Sequence, residues 1–278
     1  MNKPNPKNPL DNCENCPAFS QLEQMGIKTG DFDRIIALAG NPNTGKSTVF
    51  NSLTGLNQHT GNWPGKTVSR AEGGYQFNGI KYKLVDLPGT YSLLSASQDE
   101  EVARNFILFG HPDCTIVVTD ATALERNLNL TIQVMEITEK VVVAVNLMDE
   151  AKRKGIEVDT RSLSRDLGVP VVPITARTGE GISTLLTTVA DVIEGRTLTK
   201  PIHIHGTPEF QQAVESLIPL IEQTAPGVPN PRWIAIRLLD GDPKVQEALK
   251  TNQLAQIMRE QNQKVDSFSK QISVDGRQ

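Results

Sequence analysis

Between Ile35 and about Gly195 the chain alternates two hydrophobic periods. Short apolar runs of strand length occur at Ile35–Ala39, Gly74–Phe77, Ile80–Asp86, Cys114–Asp120, Val141–Asn146 and Val171–Ile174. Between them, amphipathic stretches predict helices over Ser47–Gly55, Gln98–Leu108, Leu124–Glu139, Thr160–Leu167 and Gly181–Ile193. Val141-Val142-Val143-Ala144-Val145 is apolar without interruption, as expected of a strand covered on both faces of a parallel sheet. Asn78-Gly79 divides Tyr75 to Asp86 and predicts a hairpin with a tight turn. Strands alternating with helices predict an α/β fold with a doubly wound sheet over residues 34–196. Such sheets place their ligand at the carboxyl ends of the strands.

The flanks read differently. Residues 1–33 are expected to be irregular, with a short helix near Ala18 to Met25. Arg196 to Gly206, broken by Pro201, is a linker. Beyond Thr207 the strand signal fades, and helices are expected over Glu209–Gln223, Arg232–Asp240 and Pro243–Arg259. Trp233, Ile236, Leu238 and Leu239 are expected on one packing face of this small all-α subdomain, residues 197–265. The mostly polar residues 266–278 are expected to form a disordered tail.

Composition removes several function classes. A net charge of −4 gives no global basic field for nucleic acid or anionic lipid, so no nucleic-acid partner is expected. Three cysteines make no disulfide framework and favour a reducing compartment. Cys13-Glu14-Asn15-Cys16 is a lone C-x-x-C without further ligands nearby, and a solvated tail is the simpler reading. His203 and His205 alternate on one short segment; a solvated pair is expected there in preference to a metal site. The Asn-, Pro- and Lys-rich start has no apolar core of a signal peptide, and no run reaches the ~18 apolar residues of a membrane span, so this chain alone is expected to be soluble.

The chemistry begins at Gly40-Asn41-Pro42-Asn43-Thr44-Gly45-Lys46-Ser47, which fits the phosphate-binding pattern G-x-x-x-x-G-K-[ST] between an expected strand and helix. Its backbone N–H groups and the helix start can cradle phosphates, Lys46 can reach the β- and γ-phosphates, and the Ser47 hydroxyl can ligate Mg2+. Thr48 continues the loop into the helix. Three later stretches select the base. Asp86-Leu87-Pro88-Gly89 closes a strand as D-x-x-G, placing Asp86 near Mg2+ and the Gly89 N–H near the γ-phosphate. Asn146-Leu147-Met148-Asp149 fits N-x-x-D, and the Asp149 carboxylate can accept from both guanine N1–H and its 2-amino group. Adenine would leave that carboxylate unpaired. Thr175-Ala176-Arg177 closes the last strand, where the Ala176 N–H can meet guanine O6. Four elements in order at strand ends predict GTP and GDP as ligands. Between the loop and the hairpin, Gly61-Asn62-Trp63-Pro64-Gly65-Lys66-Thr67 reads as a first switch with an exposed tryptophan and with Thr67 as second hydroxyl ligand of Mg2+.

These stretches, with Asp120-Ala121-Thr122 and Leu124-Glu125-Arg126-Asn127-Leu128, resemble FeoB, the prokaryotic ferrous iron transporter family, from about Ile35 to Asp242. Arg232-Trp233-Ile234-Ala235-Ile236-Arg237-Leu238-Leu239 resembles its helical part. The resemblance implies a cytoplasmic GTPase domain, hydrolysing GTP to GDP and phosphate, and a helical domain that favours the GDP state. It also implies a membrane domain carrying Fe2+ that is absent from this chain, a fragment expected at the cytoplasmic face of the bacterial inner membrane. It implies K+ bound by Asn43 with the Gly61 and Trp63 carbonyls, supplying charge where an arginine finger would. Lys46, Thr67 and Asn43 are thereby the expected catalytic contributors.

Two departures stand out: Lys66 replaces a frequent valine and Thr175 a frequent serine. Thr90 follows D-x-x-G where Ras-like enzymes have glutamine, and Asp99-Glu100-Glu101 is a weak candidate for placing water. An RNA-associated GTPase or a signalling module without transport are the competing functions; the first would call for a basic module after the GTPase domain. Homo-oligomer formation is left open.

Overall fold

The structure is a computed structural model that describes Met25, Ile27 and residues 32–250, apart from 56–57, 95–96 and 204. The Cys13/Cys16 pair, most of the expected Ala18–Met25 helix, the continuation of the last helix past Lys250 and the 266–278 tail lie outside the described residues.

A seven-stranded sheet forms the frame, in the order β2-β3-β4-β1-β5-β6-β7. Its strands are β1 (Arg34–Gly40), β2 (Gln58–Asn62), β3 (Ser69–Phe77), β4 (Ile80–Asp86), β5 (Cys114–Asp120), β6 (Val141–Asn146) and β7 (Val171–Pro173). The helices are α1 (Lys46–Thr54), α2 (Gln98–Phe109), α3 (Leu124–Ile137), α4 (Met148–Arg153), α5 (Thr160–Leu167), α6 (Ile182–Ile193), α7 (Pro208–Thr224), α8 (Pro231–Leu239) and α9 (Pro243–Lys250). Strand β1 pairs in parallel with β4 on one side and β5 on the other. The chain therefore leaves β1 at the point where strand order reverses, the place where open α/β sheets bind ligands.

Strands β1, β5 and β6 bury both faces, as their apolar runs require. Ile35, Ala37 and Ala39 of β1 face one apolar cluster with Val85, Phe106, Val117 and Val134. Ile36 and Leu38 face the other with Phe50, Leu84, Ile116 and Leu185. This is the period of two that a strand imposes on its side chains. The hairpin turns on Asn78 and Gly79, both at positive φ (51° and 82°), the conformation a two-residue turn of matching twist demands.

The expected hairpin pairs β3 antiparallel with β4, and β2 extends that antiparallel edge, so the sheet is mixed. Three expectations are corrected. Strand β2, Gln-His-Thr-Gly-Asn, was not expected: it is a polar edge strand with no apolar alternation to announce it. Strand β3 begins at Ser69 and not Gly74, its first half carrying charges that are paired, Glu72 with Arg70 (2.8 Å) and with Lys83 of β4 (2.5 Å). Leu239 is 41% exposed, outside the face formed by Trp233, Ile234 and Ala235.

The helical subdomain sits on the face of the α/β domain built by α2 and α3. Val214, Ile221, Trp233 and Ile234 share an apolar cluster with Phe106 and Val134. Asn230 Nδ2 donates to the carbonyls of Glu136 (2.7 Å) and Ile137 (3.1 Å) at the end of α3. His203, expected in a solvated pair, instead meets Glu136 through Nδ1 at 3.2 Å.

Candidate functional site

The glycine loop between β1 and α1 forms the floor of the site. Gly45 adopts φ 78°, and a Cβ there would stand 2.5 Å from Asn146 Nδ2, so the residue is glycine for both conformation and space. Asn43 also lies at positive φ, 67°, with its side chain exposed. The Asn41 side chain is only 1% exposed, and its amide finds no partner among the described residues. Ser47 and Thr48 are exposed at the start of α1.

Asp86-Leu87-Pro88-Gly89 lies directly over this loop. The Thr90 N–H donates to the Gly40 carbonyl at 3.3 Å. Gly89 packs on Pro42, 3.5 Å from where its Cβ would be to Pro42 Cα. Lys46 Nζ contacts Asp86 Oδ1 directly. Burial raises the pKa of the Asp86 carboxyl, and the Lys46 ammonium opposes that shift. The lysine that would clamp phosphates and the carboxylate that would serve Mg2+ thus neutralise each other here.

The opposite wall carries the residues expected to select the base. Asn146 Nδ2 donates to the Thr44 carbonyl and its Oδ1 accepts from the Ala176 N–H, each at 3.0 Å, while the residue is 1% exposed. Asn146 is therefore a brace between the phosphate loop and the last loop. The Ala176 N–H, expected to meet guanine O6, is engaged by that brace, since a single N–H has one strong partner. Asp149 stands in the first turn of α4 and not at a strand end, because Leu147 takes the left-handed conformation (φ 62°) and starts the helix at once. Non-glycine residues rarely do so, and leucine gives no hint of it in sequence. Asp149 Oδ2 accepts from Arg177 Nη2 at 3.0 Å. That bond chiefly holds its pKa below the ordinary carboxylate value. A cavity of ≈ 140 Å3 opens here, lined by Gly45, Thr48, Asn146, Asp149, Thr175 and Arg177 among others.

The first switch is not gathered into this site. Gly61 lies in β2 opposite Arg70 of β3. Trp63, expected to be exposed, is 4% exposed and packs edge-on against Phe106 of α2 with centroids 5.6 Å apart. Its carbonyl accepts from the Lys66 N–H (3.0 Å) and its N–H donates to Val68 (2.9 Å). The glycines around Trp63 signalled a loop, but the apolar groove beside α2 buries the ring. Thr67 meets Gln98 Oε1 at 3.4 Å. The acidic run that opens α2 is tied to the first switch and to the loop after D-x-x-G: Glu101 pairs with Lys66 (3.0 Å), and Glu100 accepts from the Ser92 hydroxyl (2.8 Å). Sequence reasoning missed Arg70 and Gln98; their signal, a contact with Trp63 or Thr67 of the first switch, exists only in the fold.

Known proteins agree with this architecture. The family model described as ferrous iron transport protein B matches residues 34–189, and that of the FeoB cytosolic helical domain matches residues 207–277. The Fe(2+) transporter FeoB of Escherichia coli (strain K12) is 40% identical over 211 residues, 74% of this chain and 27% of the relative. The chain thus spans about a quarter of the length of such curated relatives. The cytosolic domain of L. pneumophila FeoB superposes with a TM-score of 0.71 at 35% identity, covering 81% of this chain and 88% of that one. That of T. maritima FeoB, in apo form, gives 0.72 at 31% identity, covering 85% and 98%. The chain belongs to the FeoB family, and it carries that family's N-terminal G domain followed by its cytosolic helical domain.

Proposed function

We propose that this chain is the guanine-nucleotide switch of a ferrous iron transporter, binding GTP and GDP, hydrolysing GTP, and passing its state to a membrane domain that carries Fe2+. One observation carries the reading. The phosphate loop, Asp86 and the Asp149–Arg177 pair all follow the carboxyl ends of sheet strands, Lys46 meeting Asp86 and the Asn146 brace tying the loop to the Ala176–Arg177 wall. Relatives in this family are named Fe(2+) transporters, and one solved relative, the cytosolic domain of T. maritima FeoB, is described in a GDP form.

Within that reading, the Arg177 guanidinium keeps Asp149 ionised and oriented toward the guanine edge. Lys46 leaves Asp86 for the β- and γ-phosphates. The exposed Ser47 hydroxyl and the Asp86 carboxylate are hard oxygen donors on one side of the loop, a set that fits Mg2+. When bound, Mg2+ neutralises charge between the terminal phosphates. Thr67 joins only after the first switch leaves Gln98, and K+ on Asn43 requires Gly61 and Trp63 to turn their carbonyls inward.

The test is base exchange. Asp149→Asn should shift preference from GDP toward XDP, because xanthine presents a carbonyl where guanine has its amino group and the new amide supplies a donor. Competition against a fluorescent guanine nucleotide measures it. Unchanged discrimination removes Asp149 from the base pocket and with it the guanine reading.

A further inference from the structure

The family match begins at residue 34, yet residues before it pack on the first switch. Ile27 is 1% exposed and lies in the same apolar cluster as Trp63, Val68 and Phe106. The Met25 carbonyl accepts from Arg70 Nη1 at 2.8 Å. Phe32 lies so close to β3 that a Cβ on Gly74 would stand 2.4 Å from its ring. Lys83 Nζ sits 5.4 Å from the centroid of that ring. The glycine is thus a seat for Phe32.

Arg70 joins this segment to the switch. Its guanidinium lies 5.6 Å from the Trp63 ring centroid, its Nε meets Glu72 at 2.8 Å, and its residue stands opposite Gly61 in the β2–β3 register. Glu72 in turn holds Lys83, and both are nearly buried at 7% and 5% exposure. One arginine therefore contacts the N-terminal segment, the switch tryptophan and a desolvated ion pair. Networks of this kind move as a unit, because a partly broken one strands charges out of water. The Trp63 ring is held against Arg70, Phe106 and the cluster that includes Ile27, while its carbonyl accepts from Lys66.

We infer that Met25, Ile27 and Phe32 form an intramolecular clasp that holds the first switch docked on α2 and restrains its response to nucleotide. Contacts made to one state only shift the equilibrium toward that state. The effect on hydrolysis rests on the guanine-nucleotide reading above; the effect on switch docking does not.

The chain has two tryptophans, so a Trp233→Phe background leaves Trp63 as the reporter. Acrylamide quenching is measured without nucleotide, and single-turnover GTP hydrolysis is measured separately. Three proteins are compared: the full chain, the chain lacking residues 1–31, and the full chain with Ile27→Ala and Phe32→Ala. A thermal melt establishes that each is folded. The clasp requires the quenching constant of Trp63 to rise roughly threefold or more in the altered chains, with faster hydrolysis. If the truncated chain does not fold, the double variant decides. Trp63 as protected as in the parent, or exposed with no gain in rate, overturns the clasp. A parent chain that hydrolyses no GTP overturns the guanine reading instead, and the quenching result still decides whether the segment docks the switch.

Discussion

Asn43 illustrates how one side chain can have two reasons to be there. It sits at φ 67° in the phosphate loop with its amide exposed. Asparagine tolerates that conformation better than most residues, so its presence could reflect backbone geometry alone. The cation role proposed for it needs the side-chain oxygen. Two substitutions separate these roles. Asn43→Ala removes the oxygen and adds strain of about 1 kcal/mol at positive φ, whereas Asn43→Gly removes the oxygen and relieves the strain. We expect the parent to hydrolyse GTP several-fold faster in KCl than in NaCl at equal ionic strength. Both variants should lose that difference while still binding GDP. A glycine variant that keeps its potassium response would assign Asn43 to the backbone only. The same residue scale shows what sequence conceals. Trp63 looked exposed among glycines and is buried. Leu147 carries no mark of its left-handed turn, yet it decides where Asp149 stands.

At the scale of elements, legibility followed the apolar pattern. Strands β1, β5 and β6 bury nearly every side chain, and their largely apolar runs located them within a residue; β4, with Lys81 and Lys83 in its run, was placed by the Asn-Gly turn before it. Strand β2 and the first half of β3 are held by backbone pairing and by the Arg70–Glu72–Lys83 cluster, so they have no such run. The phosphate loop and the D-x-x-G and N-x-x-D stretches were legible because their chemistry needs fixed residue types at fixed spacing. The position of the first switch was not, since it depends on long-range partners. This difference yields a prediction. Lys46→Ala should abolish hydrolysis by removing the phosphate clamp; it also leaves Asp86, a part-buried carboxylate with a raised pKa, without its main counter-charge. Thr67→Ala should leave GDP affinity unchanged, because its hydroxyl faces Gln98 in the docked switch, and should slow hydrolysis. Calorimetry with GDP and with a non-hydrolysable GTP analogue checks this: equal losses for both ligands would remove Thr67 from the γ-phosphate side.

At the scale of the whole molecule, α2 carries both ends of a connection. Its first turns meet the first switch through Gln98 and Glu101, and Phe106 packs on Trp63. Between them Arg104, 7% exposed, turns to the helical subdomain. Its guanidinium stacks on Trp233 at 5.9 Å and lies 3.9 Å from Asp242, which Arg237 also holds at 3.0 Å. Asp242 further accepts from the Val245 N–H at 3.3 Å, capping α9. One buried carboxylate thus balances two arginines and starts a helix. Burial alone would push the Arg104 pKa down, and Asp242 opposes that shift more than any other group. Removing the carboxylate should therefore cost more than a surface pair. Asp242→Ala should destabilise the chain by about 3–5 kcal/mol, the usual cost of stranding a buried charge. Asp242→Asn, which can still cap α9, should cost less but remain destabilising, because the neutral amide cannot balance the guanidinium groups. Urea midpoints of the three proteins measure both values. If the two variants were equally and only slightly destabilised, the subdomain would be held by its apolar contacts with α2 and α3 and by the Asn230 hydrogen bonds, without help from the buried charges. A rigid element linking switch and subdomain by charge would then have no support.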